Sequence, residues 1–188
     1  MTCRCAQAVS LAVCIAALAA TAQVHRHDPL TSAETDALRE VSMEPEKKLP
    51  LYLQYARARL ATIEQLRSDP HAAQGRGGKI HDLLQDFKVI MDEMDRNVDS
   101  FADQKLDFRK ALKEIIRTDG EFQSKLRTLT EASKEPSAAA EAKEYEFALL
   151  DAADAVDGDL ENAKDLLPQQ EKAAAEAKAR AKERAKGK

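Results

Sequence analysis

Residues 80–101 read IHDLLQDFKVIMDEMDRNVDSF, with apolar side chains at Ile80, Leu84, Phe87, Met91, Met94, Val98 and Phe101. Steps of three and four place all of these on one face of a helix, with charged residues on the other. The next segment repeats the pattern through Phe108, Leu112, Ile115, Phe122, Leu126 and Leu129. The two stripes share one phase across 102–107, which would suit a single helix of about 55 residues. A tight turn near Asp103–Leu106 is the better reading, because a folded-back pair buries both stripes. Asp107 is a residue type able to cap the new helix.

Working upstream, Leu49, Leu53, Ala56, Leu60, Ile63 and Leu66 predict an amphipathic helix over 45–68, with Pro45 suited to its first position. Pro50 sits about a turn inside it, so either the helix kinks there or its regular part starts later. Before it, Thr31-Ser32-Ala33-Glu34 fits a capping box that opens a short helix to about Met43. Ser68-Asp69-Pro70 closes the 45–68 helix, and His71 to Gly78 reads as a glycine-bearing loop.

Downstream, Ser133-Lys134-Glu135-Pro136 marks a break. Tyr145, Leu149, Ala152, Val156, Leu160, Ala163 and Leu167 then predict a last helix over 137–167, ended by Pro168. Gly120 and Gly158 each follow an Asp, yet the stripes hold phase past both. They read as glycines inside helices, each costing about 1 kcal/mol relative to Ala. Four main helices over roughly 45–68, 78–103, 107–133 and 137–167, similar in length and joined by short connections, predict an all-α, elongated antiparallel (up-and-down) bundle. A short N-terminal helix precedes it, and a basic helical or disordered C-terminal tail follows.

The N-terminal residues differ from the rest. Arg4 is followed by an apolar run from Ala6 to Ala20 and by the small-x-small end Ala20-Thr21-Ala22. That layout predicts a secretory signal peptide over 1–22, cleaved after Ala22. The run is shorter than the roughly 20 residues a bilayer span needs. Cys3, Cys5 and Cys14, the chain's only cysteines, fall inside the predicted signal, so the exported part would be free of disulfides. Leu11-Ala12-Val13-Cys14 loosely resembles a lipobox, but Val13 is not the small residue such a cleavage favours, and apolar residues continue past Cys14. The expected organisation is a signal at 1–22, an irregular lead-in at 23–30, a helical domain at 31–168 and an Ala/Lys/Arg-rich tail at 169–188. Localisation would be secreted or periplasmic, with no membrane span after cleavage.

Composition agrees with a helical protein and offers little chemistry. There is no Trp, and charged residues make up 33% of the chain, whose net charge is −4. Glu-x-x-His pairs for a diiron bundle, Cys-x-x-Cys-His for covalent haem and His-Glu-x-x-His for zinc are all absent from the sequence. Gln74-Gly75-Arg76-Gly77-Gly78-Lys79 only faintly resembles a phosphate loop, since Ile80 holds the Ser/Thr position. Asp95-Arg96-Asn97-Val98-Asp99 begins like a calcium loop but has Ser100 and Leu106 where glycine and glutamate are needed. Met91 and Met94 read as core residues and His81 as a rim residue. Asp92, Asp95, Asp99 and Asp103 form an acidic stripe, expected to be solvated or to meet Lys105, Arg109 and Lys113 on the next helix.

One ligand site follows from the cleavage. A new terminus Gln23-Val24-His25 would offer an amine, two amides and an imidazole, a square-planar set suited to Cu(II) or Ni(II). Residues 171–188 carry seven Lys/Arg against three Glu, enough for weak contact with an anionic polymer. They lack the aromatics of a nucleic-acid platform, so no specific nucleic acid is predicted. No cofactor and no catalytic pattern emerge. The sequence therefore predicts an exported, non-enzymatic helical protein acting through its surface on protein partners, in a scaffold or chaperone-like role. Cu(II)/Ni(II) binding at Gln23, Val24 and His25 is the alternative.

Overall fold

In the computed structural model, which describes residues 28–186, every regular element is a helix. α1 spans Ser32–Glu40, α2 Pro45–Ser68, α3 Arg76–Asp103, α4 Arg109–Ser133, α5 Ala139–Ala142 and α6 Glu146–Lys186. A short 3-10 turn, Pro70–Ala72, lies between α2 and α3.

The capping box forms as its residues require. Thr31 Oγ1 accepts from the Glu34 backbone N–H at 3.2 Å, and Glu34 Oε2 accepts from that of Thr31 at 2.8 Å. Arg59 of α2 then grips both Glu34 carboxylate oxygens at 2.7 Å and donates to the Pro29 carbonyl at 2.5 Å. These guanidinium bonds hold the Glu34 carboxyl down at about 2. A local start signal is thereby converted into a tertiary tie between α1 and the middle of α2.

The long helices pack as two pairs. α2 lies antiparallel to α3: Tyr52 Oη donates to Glu93 Oε1 at 2.8 Å, and Lys48 Nζ to Asn97 Oδ1 at 2.7 Å. α4 lies antiparallel to α6, with Lys113 on Glu171 at 2.9 Å, Gln123 on Asp157 at 2.6 Å and the Ser133 and Tyr145 hydroxyls 3.1 Å apart. Between the pairs, neighbours run parallel. Arg57 of α2 reaches Glu121 of α4, and Asn162 of α6 reaches Asp95 of α3. Going round the core, the order is therefore α2, α3, α6, α4.

Consecutive helices α3 and α4 are consequently not side by side. They meet across the centre through long side chains: the fully buried rings of Phe87 and Phe122 stand edge to face with centroids 5.3 Å apart. Of the two expectations for the acidic stripe of α3, contact with Lys105, Arg109 and Lys113 fails for this reason, while Asp99 and Asp103 are exposed as a solvated face requires. The stripe faces α6 instead, where Asn162 Nδ2 donates to Asp95 at 2.6 Å and Asp99 at 3.2 Å, while Lys88 pairs with Asp92 one turn away.

Several boundaries move for identifiable causes. α3 ends at Asp103 in a tight turn, as expected. However, Phe108 holds the N-cap position of α4 with no side-chain cap bond, while Asp107, one residue earlier, accepts from the Arg109 backbone N–H at 3.4 Å and from its guanidinium at 2.8 Å. The start of α4 is covered from outside, by Glu46 of α2 accepting from the Lys110 N–H at 3.2 Å. The expected 71–78 loop is shorter, because α3 already begins at Arg76. Gly77 is needed there: a Cβ would come within 2.6 Å of the Glu144 carboxylate and 3.0 Å of the Glu141 carbonyl.

The 137–167 helix is broken into α5 and α6, with Arg76 clasping Glu141 of α5 at 2.7 Å. Pro168 does not end α6. It removes the N–H that would bond the Lys164 carbonyl, and the helix nevertheless runs on, with Gln169 Nε2 donating to the Asp165 carbonyl at 3.0 Å and Gln170 Nε2 to the Leu106 carbonyl at 3.0 Å. Beyond it, Ala, Lys, Glu and Arg are strong helix formers, and the tail continues as an exposed helix. Pro50 likewise lies inside a continuous α2.

Candidate functional site

Four polar residues are buried among the aliphatic and aromatic side chains of the described core, Asp86, Thr118, Asp119 of α4 and Asp159 of α6, and the last two carry unpartnered oxygens. Asp119 is 0% exposed and Asp159 6%. Neither oxygen of Asp119, nor Oδ2 of Asp159, has a hydrogen-bond partner among the described residues. Burial pushes the Asp119 carboxyl up to about 8. Burial, reinforced by the negative charges of Asp119, Asp95 and Asp92, pushes Asp159 up to about 9. At neutral pH both are held as uncharged acids.

Sequence reasoning missed this pair, although a signal existed. The α4 stripe steps from Ile115 to Phe122, a gap of two turns, and Asp119 is the residue that fills the vacant core position. On α6, Asp159 stands three residues after Val156 and next to Leu160, inside its own stripe. The neighbouring glycines, Gly120 and Gly158, lie inside helices, as their stripes predict.

A second feature is at the surface. The first turns of α6 present Phe147 at 77% and Leu150 at 54% exposure, three residues apart on one face. Leu150 lines a groove of about 310 Å³ with Leu149, Ala142, Ala139, Thr130 and Ser133, formed where α4, α5 and α6 converge. Its surface is chiefly apolar, and Lys134, Lys143 and Glu146 are among its lining residues. It offers apolar contact to a ligand and no set of convergent acids, bases or nucleophiles.

The remaining candidates resolve as follows. Gln23, Val24 and His25 lie outside the described residues, as do the three cysteines and the signal-like segment. Among the described residues, no group of three or more His, Cys, Asp or Glu is placed to hold a metal ion. Asp95–Asp99 is helical backbone within α3, without the loop a calcium site needs. Met91 and Met94 are fully buried, and His81 is a surface residue with Nδ1 3.3 Å from Asp82. No helix among the described residues is long and apolar enough to cross a membrane.

With this geometry in hand, comparison with known proteins adds no assignment. No protein-family model, no curated protein and no solved structure matches this chain. Function must be argued from the two features above.

Proposed function

We propose that this chain is an exported, non-enzymatic up-and-down four-helix bundle that acts through its surface, binding other proteins in a scaffold or chaperone-like role. The observation that carries the reading is the apolar groove beside Phe147 and Leu150. Large apolar side chains left exposed together on a folded surface mark contact sites for other molecules. The class of partner follows from the lining: a chiefly apolar surface with a few charged residues suits apolar segments of a protein. The layout of residues 1–22 supports a secreted or periplasmic location. The exposed basic end of α6 would add weak, salt-sensitive attraction to acidic polymers.

The test uses the purified chain and a reduced, unfolded lysozyme as probe. The chain should slow aggregation of the probe measured by light scattering. The double substitution Phe147→Glu with Leu150→Glu should abolish most of that effect while leaving the thermal melt unchanged. Equal protection by the substituted chain, or none by the native one, would remove the groove from the account.

A further inference from the structure

We propose that Asp119 and Asp159 form a proton-binding latch between α4 and α6: protonated, the two carboxyls let the helices close on them; ionised, they force the seam apart. The latch is a property of the fold and stands whether or not the apolar groove binds a partner.

The geometry carries it. The two side chains come from adjacent antiparallel helices, both are more than nine-tenths buried, and three of their four oxygens are unpartnered. Asp95 of α3 lies near enough for its negative charge to favour a proton on Asp159. The charged groups facing the pair are the carboxylates Asp95 and Asp92. Asp92 pairs with Lys88, and Asp95 accepts from the neutral amide of Asn162. From α2, Arg57 reaches the turn beside Asp119 but spends its guanidinium on Thr118 Oγ1 and Glu121. On α4 itself Glu121 is taken up further by Arg117. Two anions here would lack both solvent and a cation.

The helices are weakened at the same level. Gly120 follows Asp119 and Gly158 precedes Asp159, and open space surrounds the position a Cβ would take at each. Close packing therefore demands neither glycine, while each lowers the local helix propensity of its turn. Charge would develop where both helices distort most readily.

The sign of the linkage is fixed by the direction of the shift. The unfolded chain releases these protons near pH 4, whereas the closed seam retains them to higher pH. Stability from the pair is thus complete below about pH 4 and falls as pH rises through about 8 to 9. Each titrating carboxyl lowers the folding equilibrium by up to about tenfold per pH unit in that window.

Urea unfolding of the full chain from about pH 5 to about pH 10 tests this, alongside Asp119→Asn, Asp159→Asn, the double variant and the exposed control Asp151→Asn. The native chain and the control should lose stability with rising pH, while the double variant stays flat and becomes the most stable at the alkaline end. Amide exchange, corrected for its intrinsic pH dependence, should quicken first in the turns around 119 and 159 and last in α2. Carbon NMR of the side-chain carboxyls should show two acids titrating above neutrality in the native protein. A pH-independent native chain, a double variant that keeps the slope, or exchange that quickens equally in α2 would each overturn the latch. If the double variant fails to fold, the carboxyl titration decides alone: ordinary acidic values for both groups refute the proposal.

Discussion

Phe87 and Phe122 show what a single side chain does in this core. They come from helices that are not otherwise neighbours, and their edge-to-face contact spans the centre of the molecule. Arg57 adds its guanidinium 5.8 Å from the Phe122 centroid, on the surface side of the ring. Replacing either ring by Ala should cost about 3–5 kcal/mol, because both are fully buried and a cavity would remain. In a double-mutant cycle the pair should couple by about 0.5–1.5 kcal/mol beyond the lost area. Additive denaturation midpoints would mean the rings do not interact in solution. Aromatic positions of this kind were legible in the sequence from periodicity alone. Asp119 and Asp159 were not, because a stripe is read from its apolar members and a buried acid appears only as a gap.

At the scale of the element, helix bodies were easier to read than helix ends. The stripes place α2, α3 and α4 within a residue or two of where they lie, and the turn after α3 is where folding back demanded it. Ends depended on contacts between residues far apart in sequence. Glu46 covers the start of α4, Arg76 holds α5, and Gln170 ties α6 just past Pro168 to the Leu106 carbonyl. None of these can be seen in a local window.

The α3 terminus also holds the one residue other than glycine with positive φ among the described residues, Lys105 at 58°. Leu106 N–H bonds the Phe101 carbonyl at 3.1 Å and Lys105 N–H that of Ala102 at 2.9 Å, the pairing of a Schellman motif with lysine where glycine is usual. Lys105→Gly should therefore stabilise the protein by about 1 kcal/mol, read as a raised urea midpoint at unchanged slope. A lowered midpoint would show that the lysine side chain contributes more than its backbone strain costs.

For the whole molecule, the decisive fact is the order α2, α3, α6, α4 around the core. The four long helices and an all-α composition followed from periodicity, whereas the short α5 did not. This order did not, since every amphipathic stripe is satisfied by any arrangement that points it inward. Adjacency was settled by what lies beside the stripes: Tyr52 and Asn97 bind α2 to α3, whereas Asn162 and the α3 aspartates bind α3 to α6.

That order makes the protein two hairpins joined by one strand of backbone. α2 with α3, and α4 with α6, are each closed by nearby sequence, and only residues 104–108 pass between them. The chain could therefore be severed there without opening either hairpin. Separately expressed pieces ending at Lys105 and beginning at Leu106 should recombine into a complex with the helical circular dichroism and cooperative melt of the intact protein. Pieces that stay apart when mixed would mean the continuous backbone is needed to align the halves. Recombination would make assembly of this molecule a bimolecular reaction, set by concentration as well as by sequence.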